Sequence, residues 1–153
     1  MMQAAVLRPL RFPRDQEAFL LHLRALYPSI AEDTLLRRLD DVEAGGWECI
    51  GAFEEGEGRA EVQMLGMSGY WIQNRFCYGR YLYVDHFIVG DDERGRGLGQ
   101  LLWHALERIA RERGCERIVL DTFVTNAVAQ RFWMNQGCRI VGLHFGKPLD
   151  PAG

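Results

Sequence analysis

Positions 81–113 read YLYVDHFIVGDDERGRGLGQLLWHALERIARER, and this stretch constrains the fold more than any other. Tyr81 to Val89 is rich in aromatic and β-branched residues, the composition of a strand. The run stops at charged residues, and Gly95, Gly97 and Gly99 follow at alternate positions. Then Leu98, Leu101, Leu102, Ala105, Leu106, Ile109 and Ala110 keep helical spacing without a gap. A strand, a glycine-rich turn and a helix start therefore come in sequence. The first N–H groups of a helix have no intrahelical acceptor, and the helix dipole favours negative charge there. Glycine lets a bulky anion approach those donors, and Arg94 and Arg96 add cationic reach. The same residues also suit a plain loop with a glycine N-cap, and the motif alone leaves both readings open.

The rest of the chain supplies the other layers. Residues 3–8 read as a first strand. Phe19, Leu20, Leu23 and Leu26 form a helical stripe that Pro28 ends, and Leu35, Leu36 and Leu39 form another, stopped by Gly45-Gly46. WECIGAFEEGEG and AEVQMLGM read as a hairpin. Residues 67–80 (MSGYWIQNRFCYGR) show no clear period and read as a long loop with some helical character. Gly114 closes the helix after the glycine turn. CERIVLDTF is a further strand, TNAVAQRFWMNQG (125–137) a short helix with Thr125 or Asn126 as cap and Gly137 as terminator, and CRIVGLHF (138–145) a last strand. This order predicts one mixed α/β domain over 1–153 around a central sheet.

The 153 residues, 48% hydrophobic with a net charge of −3, exclude a general nucleic-acid binder, which would carry a basic face. No segment reaches the about 18 apolar residues of a membrane span, and the N-terminus lacks a signal-peptide pattern, so no membrane partner is expected. The spacings of Cys49, Cys77, Cys115 and Cys138 match neither a zinc pattern nor a compact disulfide framework. No metal is expected, and free thiols point to a reducing, cytoplasmic setting.

Two phosphate motifs fail. The P-loop needs Gly-Lys-Ser/Thr, which is absent. The dinucleotide pattern G-x-G-x-x-G needs glycine at position 100, which is Gln100. Asp121 could imitate that fold's ribose-binding acid, but too little chain follows it for the second half.

Arg94-x-x-Gly97-x-Gly99 after a strand ending in Ile88-Val89 resembles the acyl-CoA signature of the GNAT superfamily of N-acetyltransferases. A second segment, Asn126-Ala-x-Ala129-x-x-Phe132-Trp133-x-x-x-Gly137, resembles that family's N-x-x-A-x-x-F-Y-x-x-x-G-F. The resemblance is close over 81–145 and loose over 1–80. It implies a central mixed, mostly antiparallel sheet with splayed fourth and fifth strands and helices on both faces. It implies acetyl-CoA as co-substrate, its pyrophosphate on the backbone amides of Arg94, Gly95, Arg96, Gly97, Leu98, Gly99 and Gln100. Phe87, Ile88 and Val89 would face the pantetheine arm and acetyl group. Asn126 would touch the cofactor, or serve as a helix cap only, and Phe132 and Trp133 would pack beside it.

The reaction so implied is direct attack by a primary amine, of a small molecule or a protein, on the thioester. Asp85 is the candidate general base, since a carboxylate in an apolar strand should have a raised pKa. A purely structural Asp85 is the other reading, and Asp121 is the reserve. Strand alternation would turn His86 to the opposite face, as a packed core residue. Where relatives carry a tyrosine that protonates the leaving thiolate, this chain has Trp133, whose indole N–H lacks useful acidity. Water, Tyr81 or Tyr83 could stand in, and a catalytically weak or inactive acyl-CoA-binding module is the alternative. The acceptor would sit against 24–35 and 67–80, where Glu32, Asp33 and Tyr70 could favour a cation. Oligomeric state, a homodimer included, is left open.

Overall fold

The computed structural model describes residues 5–54, 63–90 and 97–150. Its contacts divide the chain into two compact units, residues 1–119 and 120–153. The first unit holds strand β1 (Ala5–Pro9), helices α1 (Gln16–Leu26) and α2 (Glu32–Ala44), strands β2 (Glu48–Glu54), β3 (Met64–Arg75) and β4 (Gly79–Val89), and helix α3 (Leu98–Glu112). Strand β5 (Arg117–Leu120) leads into the second unit, which holds α4 (Ala127–Asn135). The five strands lie in the order β1-β2-β3-β4-β5, and the first four pair antiparallel.

Both faces of the sheet are covered. On one, α1 and α2 set Phe19, Leu20, Leu23, Leu35 and Leu39 against Trp47, Cys49, Phe53, Met64 and Met67. On the other, α3 buries Leu98, Leu102, Trp103, Ala105, Leu106 and Ala110. A Cβ on Gly66 would meet the side chains of Leu98 and Leu102, so this glycine lets α3 approach β3 closely. The alternation of apolar and polar residues that marks a half-buried strand is absent here because neither face meets water. Residues 64–70 are all buried in succession.

That double burial corrects one expectation. Residues 67–80 are not a loop: 67–75 complete β3, a tight turn follows, and β4 already begins at Gly79. Strand β4 is thus two residues longer than 81–89. A second correction concerns 138–145, which forms no strand; residues 138–147 adopt no regular structure. Strand composition yields a strand only where a neighbour supplies ladder hydrogen bonds. Part of the expected hairpin at 55–62 lies outside the described residues.

The N-terminal corner is tied by a charged knot. Asp15, only 6% exposed, accepts hydrogen bonds from Arg8 Nη1 and Nη2 (3.0 Å each), Arg14 Nη2 (2.9 Å) and the Arg11 backbone N–H (2.7 Å). Burial by itself would raise the Asp15 pKa, but these donors overrule it and hold the carboxyl well below its ordinary range.

Candidate active site

The site is set by an irregularity between β3 and β4. Gly69 pairs with His86 and Tyr70 with Val84, so Asp85 has no partner on β3 and forms a β-bulge. One inserted residue flips the facing of every later residue in the strand. His86 turns its ring onto the α1/α2 face, 5.8 Å from the Trp47 ring and 6.1 Å from that of Phe19. Trp71, one diagonal step from Asp85 across the pair, packs against the same apolar cluster. The two neighbours therefore share a face, contrary to simple alternation.

Asp85 is exposed at the surface, yet the protein around its base is dense enough to matter. Partial desolvation raises its pKa, and the nearby Trp71 indole N–H, which favours the charged form, opposes the rise. Its field is felt by Tyr27, at the end of α1, and by buried Cys49. Burial is the larger cause of the raised pKa in both, and the charge of Asp85 adds to it.

His86 is a buried packing residue. Burial pushes its pKa down to about 4, so it is neutral near pH 7. Its Nδ1 accepts from the Gly69 N–H at 3.3 Å, which puts the ring proton on Nε2. Ser68 Oγ donates to its carbonyl at 2.8 Å. Gly69 is required by close approach, because a Cβ there would fall 2.6 Å from Trp47 Nε1 and nearer still to His86 Nε2.

Downstream of the bulge, Phe87, Ile88 and Val89 end β4, half-buried and paired with Ser68, Met67 and Gly66. Helix α3 then opens with Gly97 as its N-cap in the left-handed conformation, φ 81°. Among the described residues, no side chain caps this helix start, and its first turn holds no acidic residue. A Cβ on Gly97 would meet nothing within 4 Å. Glycine is needed there for its backbone angle, and the space beside it is open. Leu98 is buried, so only its backbone can serve an anion; Gly99 and Gln100 complete the first turn, Gln100 meeting His104 at 2.9 Å. The start of α3 thus fits a diphosphate, which needs bare amides, positive dipole and room. Arg94, Gly95 and Arg96 lie outside the described residues.

Asn126, Phe132 and Trp133 belong to the second unit. Asn126 caps α4, its Oδ1 accepting from the Ala129 N–H at 3.1 Å. Phe132 and Trp133 meet edge to face, centroids 4.9 Å apart. Asp121, the reserve base, pairs with His144 at 3.1 Å. Tyr81 is buried and donates to Gln73 Oε1 at 2.6 Å. Tyr70 lies off the α1/α2 face: with Ile50, Ala105 and Ile109 it lines a cavity of about 260 Å³ against α3, and burial pushes its pKa up to about 12. Sequence reasoning missed Trp71 and Tyr27; only the register of β3 on β4 relates Trp71 to Asp85.

A five-stranded sheet clasped by helices, with a bulged fourth strand feeding a bare glycine-capped helix start, defines an acyl-transfer fold. Over residues 16–138 the chain matches the model of the acetyltransferase (GNAT) family, and it belongs to that family. It is an N-acetyltransferase that uses acetyl-CoA. Glucosamine 6-phosphate N-acetyltransferase 1 of Oryza sativa subsp. japonica is 27% identical over 123 residues, covering 78% of this chain and 73% of the relative. Among solved structures, AAC(6')-Iy in complex with the bisubstrate analogue CoA-S-monomethyl-acetylneamine superposes with a TM-score of 0.80 at 18% identity, covering 95% of this chain and 98% of that one. Glucosamine-6-phosphate N-acetyltransferase from Arabidopsis thaliana gives 0.71 at 21%, covering 96% and 99%. Ribosomal-protein-alanine N-acetyltransferase from Brucella melitensis biovar Abortus 2308 gives 0.77 at 20%, covering 95% and 99%. At these identities the structural likeness is one of fold.

Proposed function

We propose that this chain transfers the acetyl group of acetyl-CoA directly to a primary amine of a small molecule or protein, with Asp85 as general base. The observation that carries the reading is the bulge, which leaves Asp85 without a strand partner and accessible, two to four residues before the strand end at Phe87–Val89. The co-substrate supplies the activated acyl carbon. The amides of the α3 start, Gly97 to Gln100 with Arg94, Gly95 and Arg96 before them, hold its diphosphate. Backbone at Phe87, Ile88 and Val89 aligns the pantetheine arm, and such alignment lowers the barrier by several kcal/mol. For the second unit, the motif resemblance supports Asn126, Phe132 and Trp133 as cofactor contacts.

Asp85 takes a proton from the incoming ammonium, directly or through water, and the freed amine attacks the thioester carbon. The C–N bond forms, the C–S bond breaks with the electron pair leaving on the thiolate, and the second proton lost by the nitrogen passes through water to that thiolate. Because a thiol pKa lies near 8.5, departure needs no strong acid, and Trp133 does not bar the reaction. The relatives named for glucosamine 6-phosphate and for an acetylneamine analogue favour a small amine, with amino sugars as the first class. We read 1–153 as one catalytic domain, since the matched segment runs through both compact units. None of the four cysteines forms a disulfide, which suits a cytoplasmic setting.

A thiol-release assay over amino sugars, amino acids, polyamines and peptide N-termini tests the reading. Release above background with at least one amine supports it. Tight acetyl-CoA binding with no release from any amine would leave the binding module as the function.

A further inference from the structure

Trp71 stands on β3 opposite Tyr83, one diagonal step from Asp85. Diagonal neighbours across an antiparallel pair are within reach of a long aromatic side chain. The bulge at Asp85 turns its carboxylate onto the face where Trp71 packs, and the indole lies near enough to favour the charged form of the carboxylate. An indole offers one N–H and no acceptor, so Trp71 donates. The indole is held from behind: a Cβ on Gly45, just after α2, would fall 3.2 Å from Trp71 Cζ3 and 3.3 Å from Cη2. Thus the end of α2 braces the ring on the side away from the carboxylate's strand.

We propose that Trp71 is a positioning residue for the acetyl-transfer reaction, its indole N–H orienting the Asp85 carboxylate so that the second oxygen faces the incoming ammonium. This rests on Asp85 being the base. An indole N–H beside the carboxylate favours its charged form, the one able to accept a proton, against the desolvation that disfavours it. The titratable groups facing this carboxylate are Tyr27 from α1 and Cys49 from β2, both held neutral by burial and by Asp85 itself. His86, its neighbour on β4, is also neutral near pH 7. Trp71 supports the negative charge without carrying a charge of its own.

The test compares kcat/KM against pH for wild type, Trp71→Phe, Asp85→Asn and Gly45→Ala. Trp71→Phe keeps an aromatic ring and removes the N–H. With the carboxylate less favoured, its acid limb moves to higher pH, and kcat/KM on that limb falls roughly tenfold while the high-pH plateau is nearly recovered. KM for acetyl-CoA stays unchanged. Gly45→Ala, whose backbone angle suits alanine, crowds the indole and moves the limb in the same direction by less. Asp85→Asn abolishes the limb. If Asp85→Asn abolishes it and Trp71→Phe leaves it where wild type has it, the role of Trp71 is refuted while the base stands. If Asp85→Asn retains the wild-type limb, the base assignment fails and the inference with it. A Trp71→Phe enzyme uniformly slow at every pH marks a packing role only and also overturns the proposal.

Discussion

Asp85 and His86 are neighbours in sequence and present their side chains to the same face of the sheet. One is an accessible carboxylate and the other a buried neutral imidazole, so a single bulge separates a reactive position from a packing one.

Asp85→Asn should lower kcat by about a hundredfold or more, the usual contribution of a positioned base. Affinity for acetyl-CoA should be unchanged, because the side chain is directed to the amine. Wild-type rate should rise with pH as the carboxyl, whose pKa is raised, loses its proton. Steady-state kinetics across pH check this, and a variant as fast as wild type would remove Asp85 from the reaction.

Gly97→Glu should weaken acetyl-CoA binding by roughly a hundredfold, because a carboxylate at a helix start opposes the diphosphate. Gly97→Ala should be milder, since its main penalty is the left-handed angle, about 1–2 kcal/mol. Isothermal titration with acetyl-CoA measures both. Equal affinity in Gly97→Glu would remove the diphosphate from the start of α3.

Asp15→Asn should destabilise the fold by about 1–2 kcal/mol at pH 7, because the buried carboxylate loses its charge-assisted hydrogen bonds while the more exposed arginines are left to solvent. The folded pKa of Asp15 is depressed, so its stabilisation is complete above the unfolded carboxyl range near 3.9 and is lost as pH falls through the folded value. Urea denaturation at pH 7 and at pH 3 should show the gap between variant and wild type narrowing towards acid. A constant gap would contradict the charge-based account.

His86 should titrate near pH 4 in the folded state, against about 6.5 unfolded. Between those values the unfolded chain binds the extra proton, so stability falls as pH is lowered from 6.5 towards 4, by on the order of 3 kcal/mol in full. His86→Phe should flatten that window. Imidazole NMR shifts and denaturation series would check both halves, and a histidine that titrates near 6.5 in the native state would refute the burial account.

Gly69→Ala should destabilise by about 2–3 kcal/mol. The new methyl meets two rigid buried rings, Trp47 and His86, rather than the tip of a flexible chain. Thermal unfolding measures it, and a neutral result would mean that the rings have slack.

Several elements are legible in the residues alone. Helix α3 carries an unbroken stripe from Leu98 to Ala110, and its start and end are marked by Gly97 and Gly114 at left-handed angles. A polar cap at Thr125 or Asn126 follows from residue type and position, and the structure selects Asn126. These features are local, and each is settled by hydrogen bonds within a few residues. The stretch 67–75 is unreadable as a strand because Met67 to Tyr70 are buried on both faces, which erases the period of two.

By itself the sequence determined the strand, glycine turn and helix start, and with them the acyl-CoA-type motif, because those depend on backbone preferences within one short segment. Only the tertiary structure decided which way Asp85 looks. A bulge is a relation between two strands, here the extra residue of β4 against Gly69 and Tyr70, and no pattern within β4 alone contains its partner's register.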